Sequence, residues 1–286
     1  MTDSMLELRD LRKSFGKNRA VDGLTLDVRR GEVFGLLGPN GAGKTTTVSM
    51  TVGMLSPDSG AVSIGGNGSP VNRRVRAMVG VAPQSLAIYD ELTARENMAF
   101  FVSLYGFTGR RGKERAAWAL DFVGLVDRAD DRVSTYSGGM KRRLNMAAAV
   151  LHDPELVLFD EPSVGVDPQS RNSIFDNILR LRDAGKTIVY TTHYMEEAQR
   201  LCDRVGIVDK GKLLALDTVP NLLKAHGGKR TVIAETDGGP IRIETDDPLA
   251  ELNALHQSRR VDHFSVEEPD LEHVFLNLTG RHLRDS

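Results

Sequence analysis

The sequence predicts an α/β protein: a mostly parallel sheet flanked by helices, interrupted by a helical insertion and followed by a small α+β domain. Three observations predict it. Short apolar runs at Val33–Leu37, Leu156–Phe159, Thr187–Thr191 and Val205–Val208 alternate with stretches of helical spacing, the pattern of parallel strands buried on both faces. From Ile88 to His152 helical spacing continues with no strand between. Beyond Ala225 the composition shifts, and Asp237-Gly238-Gly239 sits between two alternating runs as a hairpin signal.

Taken in order, Met5–Arg12 and Val21–Val28 alternate apolar and polar residues and read as half-buried strands. Arg30-Gly31-Glu32 marks a turn. Val33–Leu37 then runs through a Gly-rich loop into a helix at Lys44–Met54, and Ala61–Ile64 and Met78–Ala82 are further short strands. Leu92–Tyr105, Gly112–Phe122 and Lys141–Leu151 supply the helices of the insertion, about 88–152. Ser170–Arg182 and Met195–Leu201 are the helices between the later strands. His226-Gly227-Gly228 reads as a hinge, which divides the chain into 1–225 and 226–286. In the tail, strands at Thr231–Glu235, Ile241–Glu244 and His263–Glu267 combine with helices at Pro248–His256 and Pro269–Leu278.

Composition excludes several classes of function. The chain has 286 residues, 40% apolar and 27% charged, as in a globular protein. Its 37 Lys+Arg against 39 Asp+Glu give a net charge of −2, so the basic footprint of a nucleic-acid binder is missing. The run Lys141-Arg142-Arg143 reads as a solvated helix face. No apolar run approaches the roughly 18 residues that span a bilayer, and Met1–Asp10 is acidic and lacks an apolar signal core. The chain is therefore expected to stay on the side of the membrane where it is made. A single cysteine, Cys202, rules out an intrachain disulfide and fits a reducing cytosol; it reads as a small apolar filler.

The strongest chemical signal is Gly38-Pro39-Asn40-Gly41-Ala42-Gly43-Lys44-Thr45, between an apolar strand and a helix. Glycines let the backbone curl so that N–H groups point at phosphate oxygens. The helix start adds its positive dipole end. Lys44 can neutralise β- and γ-phosphates, and the Thr45 hydroxyl can ligate Mg²⁺. Such a site needs a strand that ends in carboxylates, and Leu156-Val157-Leu158-Phe159-Asp160-Glu161 supplies one. Asp160 can hold Mg²⁺ through its water shell; Glu161 can orient and deprotonate the attacking water.

A second anion-seeking feature lies in the insertion. Tyr136-Ser137-Gly138-Gly139-Met140 precedes a long helical stretch, with Ser137 as N-cap and two glycines that leave backbone N–H groups unshielded. Taken alone, this is more often an ordinary capped helix. Beside a complete phosphate loop, it means either two bound anions or a helix end that completes another chain's site.

Ser137-Gly138-Gly139, placed between a phosphate loop and an Asp-Glu strand, resembles the signature of ATP-binding cassette (ABC) ATPases. The resemblance covers about 5–225, with further motifs in the family's order. Phe15 resembles the aromatic that stacks on adenine. Gln84, in Val81-Ala82-Pro83-Gln84, resembles the glutamine that senses Mg²⁺ and the attacking water. Ser163-Val164-Gly165-Val166-Asp167 resembles the loop that crosses the dimer interface, and His193, in Thr191-Thr192-His193, the switch histidine that contacts the γ-phosphate.

The resemblance implies a P-loop NTPase core with an antiparallel β subdomain and a helical signature subdomain. It implies ATP and Mg²⁺ as ligands. Glu161, His193, Gln84 and Lys44 are then catalytic, and Thr45, Gln84 and Asp160 hold the metal. Phe15, residues 38–46 including Thr46, and Ser137, Gly138, Gly139 and Asp167 bind nucleotide. The implied partners are a polytopic membrane permease and, with ATP bound, a second cassette, identical or different. That places the chain on the cytoplasmic face of the membrane. Glu268–Gly280 resembles the C-terminal segment of drug-resistance-type exporter ATPases, which points to export. Two departures stand out: Met140 replaces the usual Gln that ends the signature, a change that mildly favours the exporter branch, and Val164 and Val166 replace smaller residues or Leu in the interface loop.

Two competing classes fit less well. Soluble cassette ATPases of DNA repair carry long coiled coils and those of translation usually carry two cassettes, whereas this chain has one cassette and no sustained heptads. An unrelated P-loop kinase or GTPase leaves Ser137–Gly139 and His193 unexplained, and no Asn-Lys-x-Asp loop is present.

Overall fold

The computed structural model describes residues 4–281; the N-terminal reading above therefore lies partly outside the described residues. The chain divides into two compact units between Leu216 and Asp217.

The first unit begins with two long strands, β1 (Ser4–Phe15) and β2 (Asn18–Arg29). With β4 (Ser59–Ile64) they form an antiparallel sheet in the order β2-β1-β4. Alternation puts Leu6, Leu8, Leu26 and Val28 on its inner face. The second sheet contains β3 (Val33–Leu37), β5 (Val79–Ala82), β6 (Leu156–Asp160), β7 (Thr187–Thr192), β8 (Arg204–Asp209) and β9 (Lys212–Thr218). Its order is β5-β6-β7-β3-β8-β9. Strands β3, β6, β7 and β8 are buried along their whole length, which is why their sequences run apolar rather than alternating.

Parallel pairing decides where the chemistry sits. Leu37 lies opposite Thr192, and Asp160 opposite Thr191. The chain therefore leaves β3, β6 and β7 at the same edge of the sheet, the crevice beyond carboxyl ends where open α/β sheets bind ligands. The helix α1 (Lys44–Thr51) starts there, and its Val48 and Met50 share one core with Leu6 and Leu26 of one sheet and Phe34, Leu36 and Leu158 of the other.

A short helix α2 (Arg73–Arg76) precedes β5. The insertion holds α3 (Ala94–Leu104), α4 (Gly109–Phe122) and α5 (Gly138–Val150). Thr93 and Glu96 form a reciprocal capping box that starts α3. Helix α5 lies directly on β5: a Cβ on Gly80 would sit 2.1 Å from the Ala149 carbonyl. Helices α6 (Pro168–Asp183) and α7 (Met195–Leu201) complete the unit.

The second unit comprises α8 (Val219–His226), β10 (Arg230–Thr236), β11 (Gly239–Thr245), α9 (Pro248–Ser258), β12 (Val261–Glu267) and α10 (Leu271–Thr279). Its antiparallel sheet, β11-β10-β12, buries Val232 and Ala234 against Leu255 of α9, and α10 packs on α8.

Three sequence readings need correction. The domain boundary falls at 216/217 rather than 225/226, because α8 packs with α10. Gly227 is no free hinge but the end of α8, pressed so closely that a Cβ would lie 2.5 Å from the Leu223 carbonyl and 3.0 Å from Pro269. Strand β9 escaped notice because its residues are mostly half-buried at the sheet edge and carry no clean alternation.

Candidate functional site

The loop between β3 and α1 is shaped by positions where only glycine fits. Gly43, the residue that precedes α1, has φ 101°, and a Cβ there would lie 2.3 Å from the Ala20 carbonyl. Gly41 has φ 80° and faces open space. Left-handed backbone of this kind favours glycine strongly. Lys44 is 4% exposed, yet its ammonium is well met: Nζ donates to the carbonyls of Gly38 at 2.7 Å and Pro39 at 3.0 Å and lies 3.0 Å from Oε1 of Glu161.

Glu161 is the centre of the arrangement. It follows β6 with φ 47°, a strained conformation for a non-glycine residue. Two contacts hold it there: its N–H meets the Thr191 carbonyl at 3.2 Å and Thr191 Oγ1 at 3.0 Å. Thr191 Oγ1 in turn donates to Asp160 Oδ1 at 2.6 Å. The other carboxylate oxygen of Glu161 accepts from Gln84 Nε2 at 3.2 Å. His193 Nδ1 lies 3.3 Å from that oxygen, without hydrogen-bond geometry.

These residues form the floor of a cleft of about 500 Å³, lined by Phe15, Asn18, Ala20, Asn40, Gly41, Gly43, Lys44, Thr45, Thr46, Gln84 and Glu161. Phe15 stands at the rim, 53% exposed. Gly38, Pro39 and Ala42 are buried beneath the loop, Asp160 lies behind Glu161, and His193 is beside it. Asn18 and Ala20 were missed by sequence reasoning because they reach the cleft only through the β1–β2 turn and the fold of β2; the support that Thr191 gives Asp160 and Glu161 was missed because it exists only through strand pairing.

Ser137, Gly138, Gly139 and Asp167 do not line this cleft. Ser137 caps α5, its Oγ accepting from the Met140 N–H at 3.3 Å. Gly138 is exposed, and a Cβ there would meet nothing closer than the Gly165 carbonyl at 3.8 Å. Gly139 corrects the sequence reading of two unshielded glycines. It is buried, and a Cβ would strike Ser170 Oγ at 2.2 Å. Asp167 caps α6, accepting from the Ser170 N–H at 2.9 Å. Hydrogen bonds from the Ser170 backbone and side chain hold its carboxyl below the usual carboxylate range. The first turn of α5 and the loop 163–167 thus share one surface.

The site's donors suit a nucleotide with a hard cation. A buried ammonium, a glycine-curled backbone and a helix start recognise phosphate, while a hydroxyl at Thr45 and a carboxylate at Asp160 are oxygen ligands of the kind Mg²⁺ takes. Among the described residues no cluster of three or more His, Cys, Asp or Glu could cage a metal.

A parallel sheet that delivers a phosphate loop and an acidic strand end to one cleft defines a P-loop nucleoside-triphosphatase. The sequence profile described as ABC transporter matches residues 21–164. The chain is 41% identical to the linearmycin resistance ATP-binding protein LnrL of Bacillus subtilis, over 98% of this chain and 100% of that one. It is 38% identical to the Nod factor export ATP-binding protein I of Paraburkholderia xenovorans, over 100% of both. Among solved structures, an ATP-binding subunit of an ABC transporter superposes with a TM-score of 0.70 at 29% identity, covering 78% of this chain and 94% of that one. A dimeric ATP-binding cassette bound to ADP and phosphate after hydrolysis shares the fold, with a TM-score of 0.68 at 24% identity over 75% of this chain and 98% of that one. The chain belongs to the ABC transporter family and is an ATP-binding, ATP-hydrolysing transporter subunit. Among the described residues no helix is long and apolar enough to cross a membrane.

Proposed function

We propose that the chain drives an exporter, working in pairs on the cytoplasmic face of the membrane beneath a separate polytopic permease. Support for export comes from the relatives' names, which speak of resistance and export. Support for pairing comes from the geometry: the capped helix start at Ser137–Gly138 is exposed and does not line the cleft that holds Lys44 and Glu161. The single observation that carries the hydrolytic part of the proposal is the convergence on Glu161 of Lys44, Gln84 and His193.

In this reading Phe15 offers its exposed face to adenine. The loop 38–46 and Lys44 bind the phosphates. Thr45, Asp160 and Gln84 would hold Mg²⁺, which would supply charge neutralisation for the bound phosphates. Glu161 orients water and takes its proton. Lys44 Nζ lies 3.0 Å from Glu161 Oε1, so the ammonium that meets the phosphates also borders the carboxylate that acts as base. His193, beside Glu161, contacts the γ-phosphate. Ser137 and Gly138 of a second chain close the site, with Asp167 of the loop 163–167 at the same interface.

The test is co-purification. The tagged chain is expected to retain a polytopic membrane protein, and adding ATP is expected to drive transport in vesicles that contain both. Recovery of ribosomes or DNA without any membrane protein would contradict the coupling to transport.

A further inference from the structure

Three side chains from the first two turns of α5 grip the segment between β5 and α3. Arg142 donates from its guanidinium to the Gln84 carbonyl. Asn145 holds the segment from both sides, donating to the Pro83 carbonyl at 3.2 Å and accepting from the Ala87 N–H at 3.0 Å. Lys141 pairs with Asp90 at 2.6 Å. The residues gripped thus flank Gln84 on both sides, and the Gln84 side chain reaches Glu161. The sequence reading of Lys141-Arg142-Arg143 as a solvated face is corrected here: the Arg142 side chain points inward, toward the acidic strand end. Burial draws its guanidinium below the ordinary arginine value, and the charges of Glu161 and Asp160 act to raise it again. It remains a cation throughout, as arginine does.

We propose that Arg142 is a positioning residue for ATP hydrolysis: by fixing the Gln84 carbonyl, it holds the Gln84 amide on the Glu161 carboxylate. The inference rests on the reading of Glu161 and Gln84 as parts of the hydrolytic site. Its geometric content is specific. Helix α5 starts at the exposed Ser137–Gly138 surface and, one turn further, holds the segment that touches the base of its own chain. A displacement of α5 therefore acts on the Pro83 and Gln84 carbonyls and the Ala87 N–H, while Ala82 just before them stays paired with Phe159 of β6. A group acting at the helix start is coupled to the chemistry by rigid transmission through a packed element. Arg142 supplies what neither Lys141 nor Asn145 does: a planar, multiply donating head that keeps its charge within reach of both Asp160 and Glu161.

The experiment is a double-mutant cycle on the full chain, with Arg142→Met, Gln84→Ala and the double variant, and with Arg142→Lys as the conservative control. ATP turnover and fluorescent-nucleotide affinity are measured for each. Arg142→Met is expected to lower kcat about 10-fold, as small misplacements of catalytic groups do, with KM for ATP and nucleotide affinity unchanged, since Lys44 and Phe15 are untouched. Arg142→Lys, which keeps a donor and the charge, is expected to recover most of the lost rate. In the Gln84→Ala background, Arg142→Met is expected to change kcat by less than about twofold, because residues acting through one group are non-additive. If Gln84→Ala is slow but Arg142→Met lowers kcat equally in both backgrounds, the positioning role is overturned. Wild-type turnover by Arg142→Met overturns it as well. If instead Gln84→Ala itself turns over at the wild-type rate, the underlying reading of Gln84 fails, an outcome distinct from the other two. Equal loss of rate and stability in both Arg142→Met and Arg142→Lys, read by thermal melting, marks a purely structural contact and also overturns the proposal.

Discussion

Two glycine-bearing helix starts in one chain are built to opposite plans. At the start of α1 the glycines are forced: Gly41 and Gly43 have φ of 80° and 101°, and a Cβ on Gly43 would collide with the Ala20 carbonyl at 2.3 Å. The backbone is bent around a cleft whose floor, Lys44 and Glu161, belongs to the same chain. At the start of α5, Gly138 has ordinary helical backbone, is exposed, and has its nearest neighbour at 3.8 Å from a built Cβ. Ser137 caps the helix in the usual way, and neither it nor Gly138 lines the cleft of its own chain. The first start encloses a cleft within its own chain, the phosphate cradle of the proposed function. The second is a prepared surface, with donors presented outward and the first-turn N–H groups free of helical partners. The difference teaches that motif content alone does not tell a finished site from half of one; what stands opposite the glycines does.

The comparison can be broken at several points. The largest effect is expected at the finished site. Glu161→Gln removes the base but keeps shape and the donor contact from Gln84's side, and turnover should fall about 10²- to 10⁴-fold while nucleotide binding persists. A steady-state phosphate-release assay checks this, and wild-type turnover would take Glu161 out of the mechanism. Next comes Lys44→Ala, which should weaken fluorescent-nucleotide binding as well as turnover, because the ammonium meets charge already present on bound ATP. Unchanged affinity together with normal turnover would contradict its role.

Gly43→Ala and Gly138→Ala compare the two starts directly. The first puts a Cβ against the Ala20 carbonyl at a left-handed residue and should cost about 1–3 kcal/mol of stability and most nucleotide binding. The second has room and removes glycine's extra backbone entropy at the first position of α5, so the melting temperature should hold or rise slightly. Equal melting shifts would erase the distinction between forced and free glycine. The smallest effect is the cap: Ser137→Ala should cost about 1 kcal/mol, read by chemical denaturation, and leave binding of nucleotide by the monomer unchanged.

Much of this was legible in the sequence because it is local. The phosphate loop, the Asp160-Glu161 strand end and the Ser137 cap are each encoded within a few consecutive residues. The order of the parallel sheet was legible only as a class, since apolar runs announce buried strands without saying which pair. What was not legible is non-local. Thr191 supports both Asp160 and Glu161 only because β6 and β7 pair in one register. Gly43 must be glycine because of Ala20, on another strand. Arg142 looks like one of three solvated cations until α5 folds over the Gln84 segment. Gly139 looked as open as Gly138, and its burial against Ser170 depends on how α6 approaches α5. The tail boundary was misplaced by a glycine pair that ends a helix instead of joining two domains.

The central claim is that the surface at Ser137–Gly138 completes the ATP site of another chain. Gly138 is the position at which to test it, since an aspartate at Gly139 would collide with Ser170 of its own chain and confound folding with binding. Gly138→Asp has space, and it would set a carboxylate against an approaching phosphate; repulsion between two unit charges about 4 Å apart costs about 4 kcal/mol at an effective dielectric of 20. The measurement is size-exclusion chromatography in Mg-ATP, in the Glu161→Gln background that traps bound nucleotide. Glu161→Gln is expected to elute as a dimer, and Glu161→Gln/Gly138→Asp as a monomer that still binds ATP with the affinity of the single variant. A double variant that dimerises as fully as Glu161→Gln alone would show that the second helix start is an ordinary capped helix and that no shared site exists there.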